Sequence, residues 1–159
     1  MGPVVALIVS VVVFMHAWQL FGLSEPKTTG IVGAVGAIAL AALAVKVAPE
    51  AFATSVLIWA IYAALVAAVG LWGFGSRGLG LYSAYAAVAM IGQIIYSSGT
   101  EFSLAGIICG VIQAVAFALL FFHLAIPLDT LKKATAWVLV VVGPIHGILA
   151  AMLLMKILA

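Results

Sequence analysis

Val142-Gly143-Pro144-Ile145-His146-Gly147 places a proline, a histidine and two glycines inside the last long apolar run of the chain. Because proline has no backbone N–H, the carbonyl of Val140 loses its helical partner in a setting where water is scarce. Gly143 and Gly147 form a small-xxx-small pair that lets another helix come close. The imidazole of His146 is costly in a membrane unless it faces protein or a wet path. The stretch therefore predicts a closely packed span with a functional polar group.

The composition of the whole chain identifies an integral membrane protein. Of the 159 residues, 68% are hydrophobic and 6% are charged, and the mean hydropathy is +1.43. A water-soluble fold of this length could not cover its surface with so few polar residues. A helical span needs about 20 apolar residues, and the chain holds six such runs. We predict an all-α membrane protein with one domain over residues 1–159 and helices at residues 3–23, 29–48, 51–73, 80–97, 103–125 and 134–156.

The charged residues all lie at or beside the predicted helix ends. With six spans, both termini lie on one side of the membrane, and the connections on the other side carry Lys27, Arg77, Lys132 and Lys133. This excess of basic residues places those connections in the cytoplasm and the termini outside it. An interior without Asp, Glu, Lys or Arg disfavours a proton pump or an ion-coupled transporter. The net charge of +2 is spread over loop ends and indicates no nucleic-acid partner.

The spans form three hairpins, each with a tight cytoplasmic bend, at residues 22–27, 73–80 and 127–133. A weak threefold internal repeat is expected from this order, although sequence identity among the hairpins is too low to establish it. We expect the three hairpins to surround a central pore.

Five polar or aromatic side chains in the predicted interior are candidates for lining this pore. Trp59 and Tyr62 are three residues apart and share a helix face. At about 1.5 Å of rise per residue, His16 and His146 lie at similar depths. Each of the five could instead be a packing residue that bonds to a neighbouring helix. The candidate pore-lining residues are His16, Trp59, Tyr62, Gln113 and His146.

These side chains suit a narrow pore for a small neutral polar solute, because a few hydrogen-bonding groups replace lost water while apolar walls exclude ions. Enzymatic activity is not expected, since no serine, histidine and acid can meet when every carboxylate lies at a helix end. The alternative is a non-transporting membrane subunit. It would be structural, or it would bind haem through His16 and His146.

Several loop motifs resemble the AmiS/UreI family of urea and short-chain amide channels, in the right order along the whole chain. The motifs are Gly22-Leu23 with Glu25-Pro26-Lys27, Arg77-Gly78-Leu79-Gly80 with Tyr82-Ser83, Ile126-Pro127-Leu128, and Ile145-His146-Gly147-Ile148. The resemblance implies passive passage of urea or a small amide through each protomer of a homo-oligomer, typically a hexamer, with no cofactor. It also implies that the protein lies in the lipid bilayer of a bacterial or archaeal cytoplasmic (inner) membrane.

The sequence departs from the family pattern at two places that bear on selectivity. His146 stands where the family commonly has a glutamate before Gly147, and His16 or Trp18 stands near the family's first-helix asparagine. The outer connections are short and contain no histidine, so we expect no acid gate of the kind found in some members. His146 is the expected selectivity determinant.

Overall fold

The computed structural model describes residues 3–46, 50–99 and 103–154. Within these ranges the only regular secondary structure is helical, with no strand, and short turns connect the helices. The helices are α1 (Pro3–Leu20), α2 (Pro26–Ala44), α3 (Glu50–Trp72), α4 (Arg77–Ser97), α5 (Ser103–Leu124) and α6 (Lys132–Leu154), with a 3₁₀ turn at Asp129–Leu131. Each of the six is long and apolar enough to cross a membrane. The predicted all-α fold with six spans is confirmed, and the helix ends differ from the predicted ones by four residues or fewer.

The first bend explains two of the shifts in the predicted boundaries, three residues each, at the end of α1 and the start of α2. Gly22 has a φ of 78°, a left-handed conformation that glycine adopts without steric cost. The N–H of Leu23 then donates to the carbonyl of Trp18 at 2.9 Å, which closes α1 three residues before the predicted end. Pro26 is the first residue of α2, where the missing N–H has no helical partner to lose. The helix therefore begins earlier than the apolar pattern indicated.

The described chain divides into two compact units. The first consists of Met1–Phe74 and Ala136–Ala159, and so holds α1, α2, α3 and most of α6. The second is Gly75–Thr135, which holds α4, α5 and the 3₁₀ turn. The single domain over residues 1–159 stays a prediction.

Glycines set the close packing of α2 against α3 in the first unit. A Cβ atom at Gly30 would lie 2.9 Å from the backbone nitrogen of Leu71, and one at Gly33 would lie 2.8 Å from the carbonyl oxygen of Ala63. No side chain fits at either place without moving a helix backbone. The smooth α2 surface expected from its glycines is thus a packing surface.

The glycine pair of α6 packs against α1. A Cβ atom at Gly143 would lie 3.1 Å from the carbonyl oxygen of Ser10, and one at Gly147 would lie 2.9 Å from the Ser10 hydroxyl oxygen. Nearer the helix ends, the rings of Phe21 and Trp137 meet edge to face, with 5.2 Å between their centroids. The predicted close approach at the small-xxx-small pair is confirmed, and it brings His146 toward α1 and α3.

The second unit repeats this packing. A Cβ atom at Gly80 in α4 would lie 2.6 Å from the backbone nitrogen of Ala125, just beyond the end of α5. One at Gly110 in α5 would lie 2.5 Å from the Ile94 side chain of α4. A glycine of an even-numbered helix therefore contacts the end of an odd-numbered partner in both units.

The three hairpins share one burial register, which supplies the internal repeat expected from their order. In the odd-numbered helices the buried face recurs every 50 residues. Its shared positions are Val13, Ala63 and Gln113, then His16, Val66 and Ala116, then Ala17, Ala67 and Phe117, then Leu20, Gly70 and Leu120. In the even-numbered helices the shared positions are Gly30, Gly80 and Ala136, then Gly33, Ser83 and Leu139, then Gly36, Ala86 and Val142, then Leu40, Met90 and His146. Side chains differ within each set, so the repeat is one of position and not of sequence.

Candidate functional site

A hydrogen bond between α1 and α3 forms the polar centre of the first unit. The hydroxyl oxygen of Tyr62 lies 2.6 Å from Nδ1 of His16. The two rings are 5.8 Å apart at their centroids and inclined by 46°. When the neutral imidazole carries its proton on Nε2, the phenol donates to Nδ1; in the other tautomer Nδ1–H donates to the phenol oxygen. In both tautomers, one member of the pair donates the hydrogen bond and the other accepts it.

Trp59 connects this pair to His146 of α6. One helical turn before Tyr62, the indole meets the phenol ring edge to face at 5.5 Å and an interplanar angle of 87°. The indole also meets the His146 imidazole, with 5.9 Å between the ring centroids and an interplanar angle of 71°. Four of the five predicted site residues, on three helices, thus form one continuous cluster, the His16–Tyr62–Trp59–His146 cluster.

The orientation of His146 is fixed by its own helix. Nδ1 lies 2.8 Å from the carbonyl oxygen of Val142, one turn earlier, and since that oxygen can only accept, Nδ1 carries the ring proton. In the neutral ring Nε2 is then an acceptor. Helix α6 continues through Pro144, whose side chain is exposed on the helix surface. The bonded carbonyl is that of Val142 and not that of Val140, the one that proline was expected to free.

The residues at equivalent positions of the three hairpins show that the cluster differs from ordinary packing residues. At the position of His146, the other two hairpins have Leu40 and Met90, both buried. The positions equivalent to His16, Tyr62 and Trp59 hold aliphatic side chains or cysteine: Val66 and Ala116, Val12 and Ile112, and Val9 and Cys109. The bundle therefore builds these positions from apolar residues elsewhere, and polar groups are not required for its packing.

The cluster is almost completely closed to solvent. His16 exposes 4% of its surface, Trp59 2%, Tyr62 1% and His146 3%. Side chains that lined an open, water-wide lumen would be more accessible than this. Any path along them is therefore narrow at this level, and a solute would have to exchange its water for contacts with these groups.

Gln113, the fifth predicted residue, belongs to the second unit. It lies in α5 and exposes 2% of its surface, and the equivalent positions hold Val13 and Ala63. Its lining of a pore stays a prediction.

Two contributors to the site were not singled out from the sequence. Val142 supplies the carbonyl that fixes the His146 tautomer, and Ser10 supplies the α1 surface against which Gly143 and Gly147 pack. The first has a local signal, because a histidine can bond to the carbonyl four residues earlier on its own helix. The contribution of Ser10 has no pattern in the sequence that would indicate it, since it depends on which helix α6 packs against.

The same contacts weigh against the haem alternative. A bis-histidine haem needs two imidazoles that face one planar macrocycle. Here Tyr62 lies against the His16 ring and Trp59 lies against the His146 ring, and all four side chains are buried. A macrocycle would have to displace both aromatic rings, so the residues present do not fit the group.

Comparison with known proteins places the fold. No protein-family model and no curated protein matches the sequence. The cryoEM structure of the Helicobacter pylori urea channel in the closed state matches with a TM-score of 0.85 and 16% identity, covering 98% of each chain. The crystal structure of the urea channel from this human gastric pathogen matches with a TM-score of 0.84 and 18% identity, again over 98% of each chain. At this identity the likeness is one of fold, and the fold implied by the loop motifs is confirmed.

Proposed function

We propose that this protein is a passive channel for urea or a small neutral amide, with one pore in each protomer. The observation that carries the proposal is the full-length match to the fold of a urea channel, over 98% of both chains. A fold shared over its whole length retains the six-helix frame in which a solute path can form. The loop motifs that resemble the AmiS/UreI family support the same function independently.

The distribution of charge supports passive transport. Every charged residue that the structure describes lies at a helix end or in a connection, for example Glu25, Arg77 and Lys132. Within the described spans, the interior offers uncharged polar groups and no carboxylate to bind a coupling ion. Such an interior suits a neutral solute moving down its own gradient.

The cellular setting and assembly complete the proposal. The chain spans a bacterial or archaeal cytoplasmic membrane with both termini outside the cytoplasm, because Lys27, Arg77, Lys132 and Lys133 lie in the connections of the opposite side. It assembles as a homo-oligomer, a hexamer by family resemblance. The permeating solute is its only small-molecule partner, and no cofactor or catalytic residue is needed.

Solute flux into proteoliposomes tests the proposal. Purified protein is reconstituted, and stopped-flow light scattering follows vesicle shrinkage and recovery in gradients of urea and of acetamide. We expect recovery faster than in protein-free vesicles of the same lipid, with a rate that rises in proportion to the protein incorporated. Recovery no faster than in empty vesicles, with the protein shown to be folded in the membrane, would leave the non-transporting subunit as the better explanation.

A further inference from the structure

We propose that the His16–Tyr62 hydrogen bond is a selectivity latch that recognises the edge of a primary amide group, so that the channel prefers urea and primary amides over N-substituted amides of equal size. The inference rests on the proposed function and names the chemical feature of the solute that the site reads. Nothing in the fold match or in the loop motifs specifies this feature.

The latch offers one donor and one acceptor side by side. The Tyr62 oxygen and His16 Nδ1 are 2.6 Å apart, which is the distance of a hydrogen bond between them. When the two side chains separate slightly, the donor of the pair can bond to a carbonyl oxygen and the acceptor can take an N–H. Both tautomers of His16 leave the pair with this complement.

A primary amide or urea matches this pair, because its carbonyl oxygen and one N–H point to the same edge. Two new hydrogen bonds then replace the one that is broken. A secondary amide is almost entirely trans, with its N–H on the side opposite the oxygen. It can bond to only one member of the pair from a given edge, so one new hydrogen bond, and not two, replaces the one that is broken.

Burial makes that mismatch expensive. Tyr62 exposes 1% of its surface and His16 exposes 4%, so water cannot readily substitute for a missing partner. An unsatisfied buried donor or acceptor raises the barrier to passage, and this increase corresponds to solute flux slower by about 5- to 150-fold. The size of this slowing depends on how completely water is excluded from the pair. The edge-to-face contact of Trp59 with Tyr62 covers the phenol ring and so limits access of water.

The internal repeat indicates that packing at these positions does not require a polar pair. Hairpins α3–α4 and α5–α6 place Val66 and Ala116 where the first hairpin has His16. The positions equivalent to Tyr62 hold Val12 and Ile112. Since apolar side chains suffice at these positions, the polar pair requires a different explanation, and recognition of a polar solute provides one.

Acetamide and N-methylformamide test the latch, because they are isomers of equal mass that differ in whether an N–H shares the carbonyl edge. Their rates of entry into proteoliposomes are measured by stopped-flow light scattering, and the rates in protein-free vesicles are subtracted. We expect the wild-type protein to conduct acetamide at least about 5-fold faster than N-methylformamide. In Tyr62→Phe, which keeps the ring and its contact with Trp59, the ratio should fall toward one. His16→Leu should have the same effect.

Tyr85→Phe is the matched control, since Tyr85 exposes 66% of its surface and the variant also removes one phenol oxygen. It should keep the wild-type ratio. Urea flux with equal rates for the two isomers in the wild-type protein would overturn the latch and leave the channel function intact. So would an unchanged ratio in Tyr62→Phe. The absence of urea flux in the wild type would remove the channel function and the latch together. Equal wild-type rates for the two isomers overturn the latch even if a variant fails to reconstitute.

Discussion

Replacing His146 by leucine tests whether the imidazole serves permeation or packing. The side chain is 3% exposed, and its Nδ1–H donates to the Val142 carbonyl at 2.8 Å. Loss of that bond should lower the free energy of unfolding by only about 0.5–1.5 kcal/mol. The repeat supports a small effect, because Leu40 and Met90 occupy the equivalent positions. We therefore expect His146→Leu to fold and assemble like the wild type.

The effect on flux should be larger than the effect on stability. In a closed layer, a solute that loses one hydrogen-bond partner faces a barrier higher by about 1–3 kcal/mol. That increase corresponds to urea flux slower by about 5- to 150-fold. The flux is measured by stopped-flow light scattering and normalised to the protein incorporated, while thermal unfolding in detergent reports stability.

Met90→Leu is the matched control, since it changes a buried side chain at the equivalent position of α4 without removing a polar group. It should conduct urea at the wild-type rate. Wild-type flux in His146→Leu would refute a role in permeation. A melting temperature far below that of Met90→Leu, with flux lost only in proportion to the folded protein, would show that the imidazole serves structure.

Three glycine substitutions test the helix packing and the backbone conformation of the first bend. Gly70→Ala should lower the free energy of unfolding by about 1–3 kcal/mol, because its Cβ would clash with the Pro26 carbonyl and lie 2.8 Å from the Gly30 Cα. Gly78→Ala, which has open space, should not, and equal melting temperatures for the two variants would contradict the packing. Gly22→Ala should cost about 1–2 kcal/mol, since its φ of 78° disfavours a Cβ atom. An unchanged thermal melt would exclude that strain.

Part of the site follows from local spacing and part from helix contacts. Trp59 and Tyr62 share a face because they are three residues apart, and the structure brings their rings together. The bond from Tyr62 to His16 joins residues 46 positions apart and exists only because α1 contacts α3. No periodicity in the sequence indicates which side chains two helices bring together, so the latch was not predictable.

The threefold repeat shows the same division. Three hairpins follow from the order of apolar runs and turn residues. Their common register is invisible in the sequence, where a set such as Leu40, Met90 and His146 shares no side-chain chemistry. Burial reveals the register because helix packing fixes which positions face the interior, whereas different residue types can fill those positions. The repeat then identifies the polar members of each set as candidates for function.

The sequence by itself determined that this protein has six membrane-spanning helices with the charged residues at their ends. It also identified the polar and aromatic residues of the interior, which are His16, Trp59, Tyr62, Gln113 and His146. Hydrophobic run length and the cost of burying charge act locally along the chain, so they can be inferred without a structure. Only the tertiary structure decided that four of these residues form one cluster and that His146 bonds to Val142. Which side chains meet depends on how glycine surfaces dock, and that is settled by the packing of whole helices.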